Sequence, residues 1–334
     1  MEALAPPTVG IAGLGPWGSN LARNFNELAR LAWACDADET KLAGAAVRYP
    51  AARATTRFED LLEDESVDAV VVATPVPTHA DLARKALAAG KHVFVEKPMA
   101  LGADDAEELV ALAEERGLVL MPGHLLLYHP GVAKLKELVD SGELGEILYV
   151  YGNRVNLGTI RRDENALWSL GVHDLSVILH LLDEEPTELS AHGESFLKPE
   201  VEDVVFCYLR FPSGKTAHMH LSWLDPHKMR RMTVVGKDKM AVFDDMELDR
   251  KVTVYDSAAE PALGTYGEWS TRVGDVHSPR IANAEPLRLE CSHFLALVRG
   301  EGDPLAAARD GVSVVRTLEQ LQASLERERE RERV

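Results

Sequence analysis

Apolar residues follow two rhythms along this chain. In the first third they form short unbroken runs: Val9-Gly10-Ile11-Ala12, Leu31-Ala32-Trp33-Ala34-Cys35, Ala69-Val70-Val71-Val72-Ala73, His92-Val93-Phe94-Val95 and Leu118-Val119-Leu120-Met121. Runs of this length, rich in β-branched residues, suit strands buried on both faces. Helical spacing separates them. Leu21, Phe25 and Leu28 recur at i, i+4 and i+7, and the stretches 81–89 and 103–116 are rich in Ala, Leu and Glu. This alternation predicts a parallel, doubly wound sheet.

Beyond Gly123 the rhythm changes. Helices are expected over 132–139 and 172–182. The runs Leu148-Tyr149-Val150-Tyr151, Val204-Val205-Phe206-Cys207-Tyr208-Leu209, Ala217-His218-Met219-His220-Leu221 and Met232-Thr233-Val234-Val235 lack regular helices between them. They predict a mostly antiparallel sheet with one covered face. Helices over 287–298 and 311–325 close the pattern, and 326–333 alternates acid and base as a solvated extension would. The class is α/β, and two domains, 1–122 and 123–334, are expected of a chain of 334 residues, longer than the usual single core.

Charge narrows the partners. Asp and Glu number 54 against 36 Lys and Arg, a formal net charge of −18. Such a surface repels nucleic acid and anionic lipid, so an anionic substrate needs a local cationic site. No run approaches the roughly 20 apolar residues of a membrane span, and the N-terminus does not read as a signal peptide. Cys35, Cys207 and Cys291 are far apart and odd in number, which points to a reducing cytoplasm rather than a disulfide framework. His218, His220 and His227 have no nearby carboxylate to complete a site, and no metal is expected.

The loop Gly13-Leu14-Gly15-Pro16-Trp17-Gly18 follows the first strand-like run and opens an amphipathic helix. Gly13 permits the tight turn, Gly15 lets the backbone approach a pyrophosphate, and Gly18 lets helix and strand pack closely. The helix N-terminus then offers N–H groups and a positive dipole end. Asp36 ends the second run. An acid there accepts from ribose hydroxyls and repels a 2′-phosphate, which favours NAD over NADP. Thr74, Pro75 and His79 leave the end of another parallel strand, where they are candidates to meet the nicotinamide half; Thr78 reads as a helix N-cap.

Glu96-Lys97-Pro98 leaves the next strand. There Lys97 is placed to hydrogen-bond a substrate hydroxyl and to favour a developing alkoxide. Pro98 is a candidate for a cis bond that aims Lys97 inward. The alternative is a Glu96–Lys97 surface pair. His173 starts the apolar helix after Trp168-Ser169-Leu170-Gly171-Val172. A neutral imidazole at a helix N-terminus suits a base for a hydroxyl proton, although a packed or capping histidine would look the same alone.

Gly13-x-Gly15-x-x-Gly18, Ala73-Thr74-Pro75 with His79, Glu96-Lys97-Pro98 and Gly171-Val172-His173-Asp174 together resemble the glucose–fructose oxidoreductase / myo-inositol dehydrogenase family, Gfo/Idh/MocA. The resemblance implies an N-terminal Rossmann domain, and a C-terminal α+β domain on a large open, mostly antiparallel sheet that forms homodimers or homotetramers. It implies hydride exchange between a sugar or cyclitol carbon and NAD(P), with Lys97 and His173 catalytic, and Glu96 and Lys97 beside the cofactor. The family usually has Asp four residues before the histidine, where this chain has Ser169. That departure keeps open a non-catalytic, NAD-bound sensor or scaffold.

A closer resemblance lies in His124, Tyr128, Arg154, Asn156, Arg161, Trp168, Glu285, Glu290 and His293. It is to the branch acting at C3 of nucleotide-linked amino sugars and their uronic acids. It implies His124, Tyr128, Asn156, Trp168 and Ser169 along the sugar, with Arg154 and Arg161 pairing with diphosphate or carboxylate oxygens. A dehydrogenase of a free sugar or cyclitol is the alternative.

Overall fold

The computed structural model describes residues 5–158, 160–161, 164–262 and 268–332. The chain divides into two units, Met1–Leu125 with Glu285–Arg316, and Leu126–Ala284 with Thr317–Val334.

In the first unit β1 (Thr8–Ala12), α1 (Pro16–Leu28), β2 (Arg30–Cys35), α2 (Glu39–Arg48), β3 (Arg53–Thr55), α3 (Glu59–Glu63), β4 (Ala69–Val72), α4 (His79–Ala88), β5 (His92–Glu96), α5 (Ala103–Arg116) and β6 (Leu120–Gly123) follow in order. The six strands are parallel, in the order β3-β2-β1-β4-β5-β6. Strands β1 and β4 are buried along their whole length, as continuous apolar runs between two helical layers should be. Strand order reverses between β1 and β4, and ligands of such sheets bind outside the strand ends at that reversal.

The second unit holds α6 (Pro130–Asp140), β7 (Ile147–Val155), a π-turn over Leu167–Gly171, α7 (Val172–Leu182), β8 (Glu188–Glu194), β9 (Val204–Arg210), β10 (Thr216–Ser222), β11 (Met229–Gly236), β12 (Met240–Asp244), β13 (Val252–Pro261) and β14 (Trp269–His277). These strands form one eight-stranded sheet, β14-β13-β12-β11-β7-β10-β9-β8. Only the β7–β10 pairing is parallel. Helix α7 covers one face: a Cβ added at Gly152 would meet Asp174 at 2.7 Å, and one at Gly171 would meet Leu221 at 2.8 Å. Tyr149, Phe206, Tyr208 and Tyr255 leave the opposite face exposed.

Two helices end the chain, α8 (Pro286–Val298) and α9 (Ala306–Glu332). They revise the single break expected between 122 and 123. Phe294 of α8 stacks edge-on against Phe25 and Phe94, at 6.0 and 5.7 Å between ring centroids. Leu305, Ala308, Val312 and Val315 join the apolar core of the first unit. The stretch 285–316 therefore completes the Rossmann unit. Helix α9 also runs well past the expected 325, because Leu321 and Leu325 are buried and Glu328 and Arg329 pair with His192 and Glu202; Arg333 lies outside the described residues. Among the described residues no helix is long and apolar enough to cross a membrane.

Candidate active site

The two loops at the strand-order reversal touch. Gly13 has φ +94°, and a Cβ there would lie 2.3 Å from the Ala73 carbonyl oxygen. A Cβ at Gly18 would lie 2.0 Å from the Gly13 oxygen, so no larger residue fits at either position. Nothing lies within 4 Å of the Cβ position at Gly15. With no side-chain cap on α1 and Pro16 in its first turn, this is an open anion cradle. The residues present fit a dinucleotide.

Asp36 closes the cradle on one side. Its carboxylate accepts from the Leu14 N–H at 2.7 Å and the Asp38 N–H at 2.9 Å. Lys41, with no role assigned from sequence, sits 3.3 Å from both oxygens.

On the other side, Trp17 donates its indole N–H to Glu96, whose second oxygen accepts from the Lys97 N–H at 3.1 Å. Glu96 thus joins the glycine loop to the Lys97 turn. Burial pushes its carboxyl up to about 7, against the pull of Lys97 and the Trp17 indole. This replaces the surface Glu96–Lys97 pair. The Lys97–Pro98 bond is cis.

His79 is 1% exposed. Its Nδ1 lies 2.8 Å from the Pro98 oxygen and its Nε2 lies 2.8 Å from the Thr74 oxygen. With both nitrogens on main-chain carbonyls the ring has no edge for a nicotinamide, which corrects its expected direct contact. Thr74 Oγ1 pairs with Thr78 Oγ1 at 2.7 Å, and Thr78 Oγ1 donates to the Pro75 oxygen. Thr78 therefore ties the loop rather than capping α4 with its side chain. His124 is buried with neither ring nitrogen hydrogen-bonded, and burial together with Lys97 holds its pKa down at about 4. It is a neutral imidazole on the Lys97 side of the unit. Sequence reasoning gave no role to Glu290, whose carboxyl is buried beside Glu96 and is pushed well above the ordinary range.

The second unit treats its candidates differently. Arg154 was expected to meet diphosphate or carboxylate oxygens. It is 8% exposed and gives both Nε (2.8 Å) and Nη2 (2.6 Å) to Asp174 Oδ1. Burial raises the Asp174 pKa and Arg154 lowers it, so each needs the other. Arg154 is thus committed to packing β7 on α7. Arg161 is exposed, with its Nε 3.5 Å from Glu164.

Ser169 lies in the π-turn, is 7% exposed, and accepts the Trp223 indole N–H at 3.2 Å. Single π-helical turns are frequent at functional sites. Trp168 is half-buried and its N–H is held by Asn165 Oδ1 at 3.1 Å. His173 is half-buried in the first turn of α7, and its carbonyl accepts from Ser176. Tyr128 and Asn156 are half-buried, the former before α6 and the latter just after β7. His218 stacks on Tyr151 at 4.9 Å and His220 on Phe206 at 4.5 Å between ring centroids.

A parallel sheet in the order 3-2-1-4-5-6, a glycine cradle at its reversal and an acid after β2 define a dinucleotide-dependent oxidoreductase. Comparison with known proteins makes the class specific. Residues 8–124 match the model of an oxidoreductase family with an NAD-binding Rossmann fold, and residues 132–242 match the C-terminal domain of the same family. The chain belongs to the Gfo/Idh/MocA family. It is 27% identical over 262 residues to scyllo-inositol 2-dehydrogenase (NAD(+)) of Bacillus subtilis, covering 75% of this chain and 73% of that one. To UDP-N-acetylglucosamine 3-dehydrogenase of Acidithiobacillus ferrooxidans it is 28% identical over 287 residues, 86% and 87% of the two chains. A solved structure of the latter matches with a TM-score of 0.83 at 26% identity, over 96% of this chain and 97% of that one.

Proposed function

We propose that this enzyme transfers hydride between NAD and the C3 carbon of a nucleotide-linked amino sugar or its uronic acid. The observation that carries this reading is the end-to-end likeness to UDP-N-acetylglucosamine 3-dehydrogenase, in sequence and in fold. Gly13, Gly15, Pro16, Trp17 and Gly18 cradle the pyrophosphate, Asp36 takes the adenosine ribose, and Thr74, Pro75, Glu96 and Lys97 lie toward the nicotinamide end. NAD, when bound, supplies the hydride acceptor. Lys97 polarises the substrate oxygen and His173, in the first turn of α7, takes the hydroxyl proton. His124, Tyr128, Asn156, Arg161, Trp168 and Ser169 line the sugar. Arg154 drops out as an anion ligand, which leaves Arg161 to meet the diphosphate.

A free cyclitol or sugar is the second reading, favoured by the likeness to scyllo-inositol 2-dehydrogenase and by the commitment of Arg154 to Asp174. Purified enzyme with NAD, offered UDP-N-acetylglucosamine or scyllo-inositol, separates the two by absorbance of the reduced cofactor. Turnover of the inositol alone overturns the nucleotide-sugar reading. NAD binding with no turnover of any sugar or cyclitol favours the sensor that Ser169 kept open. The exposed aromatic face of the eight-stranded sheet supports self-association into homodimers or homotetramers, which light scattering tests.

A further inference from the structure

Loops after β4 and β5 carry the residues nearest the chemistry, yet no strand pairing holds one loop to the other beyond Val72 and Val95. The imidazole of His79, from the first turn of α4, spans the gap. It reaches the Thr74 carbonyl on one side and the Pro98 carbonyl on the other, each at 2.8 Å. Carbonyl oxygens only accept, so each ring nitrogen must carry hydrogen to serve both. At 1% exposure, water does not substitute for either carbonyl.

We propose that His79 is a positioning residue whose ring, with hydrogen on both nitrogens, bridges the Thr74 and Pro98 carbonyls and so fixes where Lys97 stands. Loss of one hydrogen releases one carbonyl and slackens the turn. The groups around the ring set how tightly it holds that hydrogen. Together they hold the imidazole pKa below its ordinary value: burial is the largest cause and Lys97 adds to it, against the Pro98, Thr74 and Glu96 main chain, which raise it. From the first turn of α4, Asp81 is exposed and paired with Lys85 at 2.9 Å. The Glu96 side chain is engaged by Trp17 and by the Lys97 N–H. The bridge is thus strongest on the acid side of neutrality. Its purpose rests on Lys97 serving the reaction as proposed above.

Amide hydrogen exchange on the full chain tests the bridge without any substrate. Two amides report on the two loops: Lys97, which donates to Glu96 Oε2, and Thr78, which donates to the Pro75 carbonyl. In His79→Ala, protection at both is expected to fall by about tenfold or more, with Val70 and Val93 inside the sheet unchanged. In His79→Gln, whose amide keeps one donor end, the loss should be partial. A uniform fall across the sheet, or no fall at Lys97 and Thr78, overturns the proposal. Ring-nitrogen NMR followed as pH falls should find the ring gaining its second hydrogen together with the rise in protection at Lys97 and Thr78; protection that does not follow that protonation overturns the proposal too. Full activity of Lys97→Ala would instead sink the catalytic reading of Lys97, a result the exchange data cannot mimic.

Discussion

In the first unit Gly13, Thr74, Pro75 and Pro98 engage their neighbours through backbone atoms, whereas in the second Arg154, Asp174, Ser169 and Trp223 do so through side chains. The difference decides which charged groups remain available for chemistry. The cofactor-side loops are tied by the His79 ring and the Thr78 hydroxyl on main-chain carbonyls and by the Trp17–Glu96 link, and the Gly15 cradle stays open. In the second unit Arg154, a cation expected to meet an anion, is spent on holding a helix to a sheet. A positive residue near a binding region is therefore a ligand only where no buried acid has claimed it.

Four measurements would break or sharpen that contrast. The largest effect is expected at the Arg154–Asp174 pair. Arg154→Ala strands a buried carboxylate and should cost about 3–5 kcal/mol in denaturant unfolding, most of it regained in the double change Arg154→Met with Asp174→Leu. An unchanged midpoint with weakened nucleotide-sugar binding would restore Arg154 as a ligand and dissolve the contrast. Next, Lys97→Ala should lower turnover by about a hundred- to a thousandfold with the NAD dissociation constant unchanged; equal loss of both would make Lys97 a cofactor anchor.

The third concerns pH. The Glu96 carboxyl is raised from 4.5 to about 7, so between those values the folded protein holds a proton that the unfolded chain has lost. Its contribution to stability is therefore lost as pH climbs through that window, by roughly 3 kcal/mol at about 1.4 kcal/mol per unit. Glu96→Gln should flatten that limb of the unfolding profile. His124, held down at about 4, works in the opposite sense, its neutral form costing stability as pH falls below 6.5. The smallest effect is cofactor choice. Asp36→Ser removes the repulsion of a 2′-phosphate and leaves Lys41 beside it, so NADP use relative to NAD should rise about tenfold, near 1.4 kcal/mol. No change would mean that Asp36 serves only to hold the Leu14 and Asp38 amides.

The same contrast explains what could be read from the residue order. β1, α1, β2, β4 and β5 were legible because each motif is local: a buried run, a glycine turn, a helix start. Helices α5 and α7 lay within their expected limits because both carry dense apolar faces. Strand β3 was missed because it is a three-residue edge strand with no fully buried position. Strands β13 and β14 were missed because the hairpin they form carries little of the alternating burial that pattern reading depends on; β14 has no buried residue at all. The commitments of Arg154 and His79 were invisible for another reason. Asp174 and Pro98 are each about twenty residues away, and nothing in local spacing says that a folded helix or a turn will return to claim them. Lys41 was not legible because it lies five residues past Asp36 on α2, and only the fold brings it back to that carboxylate.

The return of 285–316 to the first unit has a consequence for how the chain is made. A ribosome releases β1 to β6 early, but Phe294 and the core residues Leu305 to Val315 emerge only after the whole eight-stranded sheet has been synthesised. The unit begun first therefore waits for its closing residues until the strands of the other unit have all been made. For most of translation its partly built sheet stands with Phe25 and Phe94 lacking their third ring, a sticky surface of the kind chaperones attend.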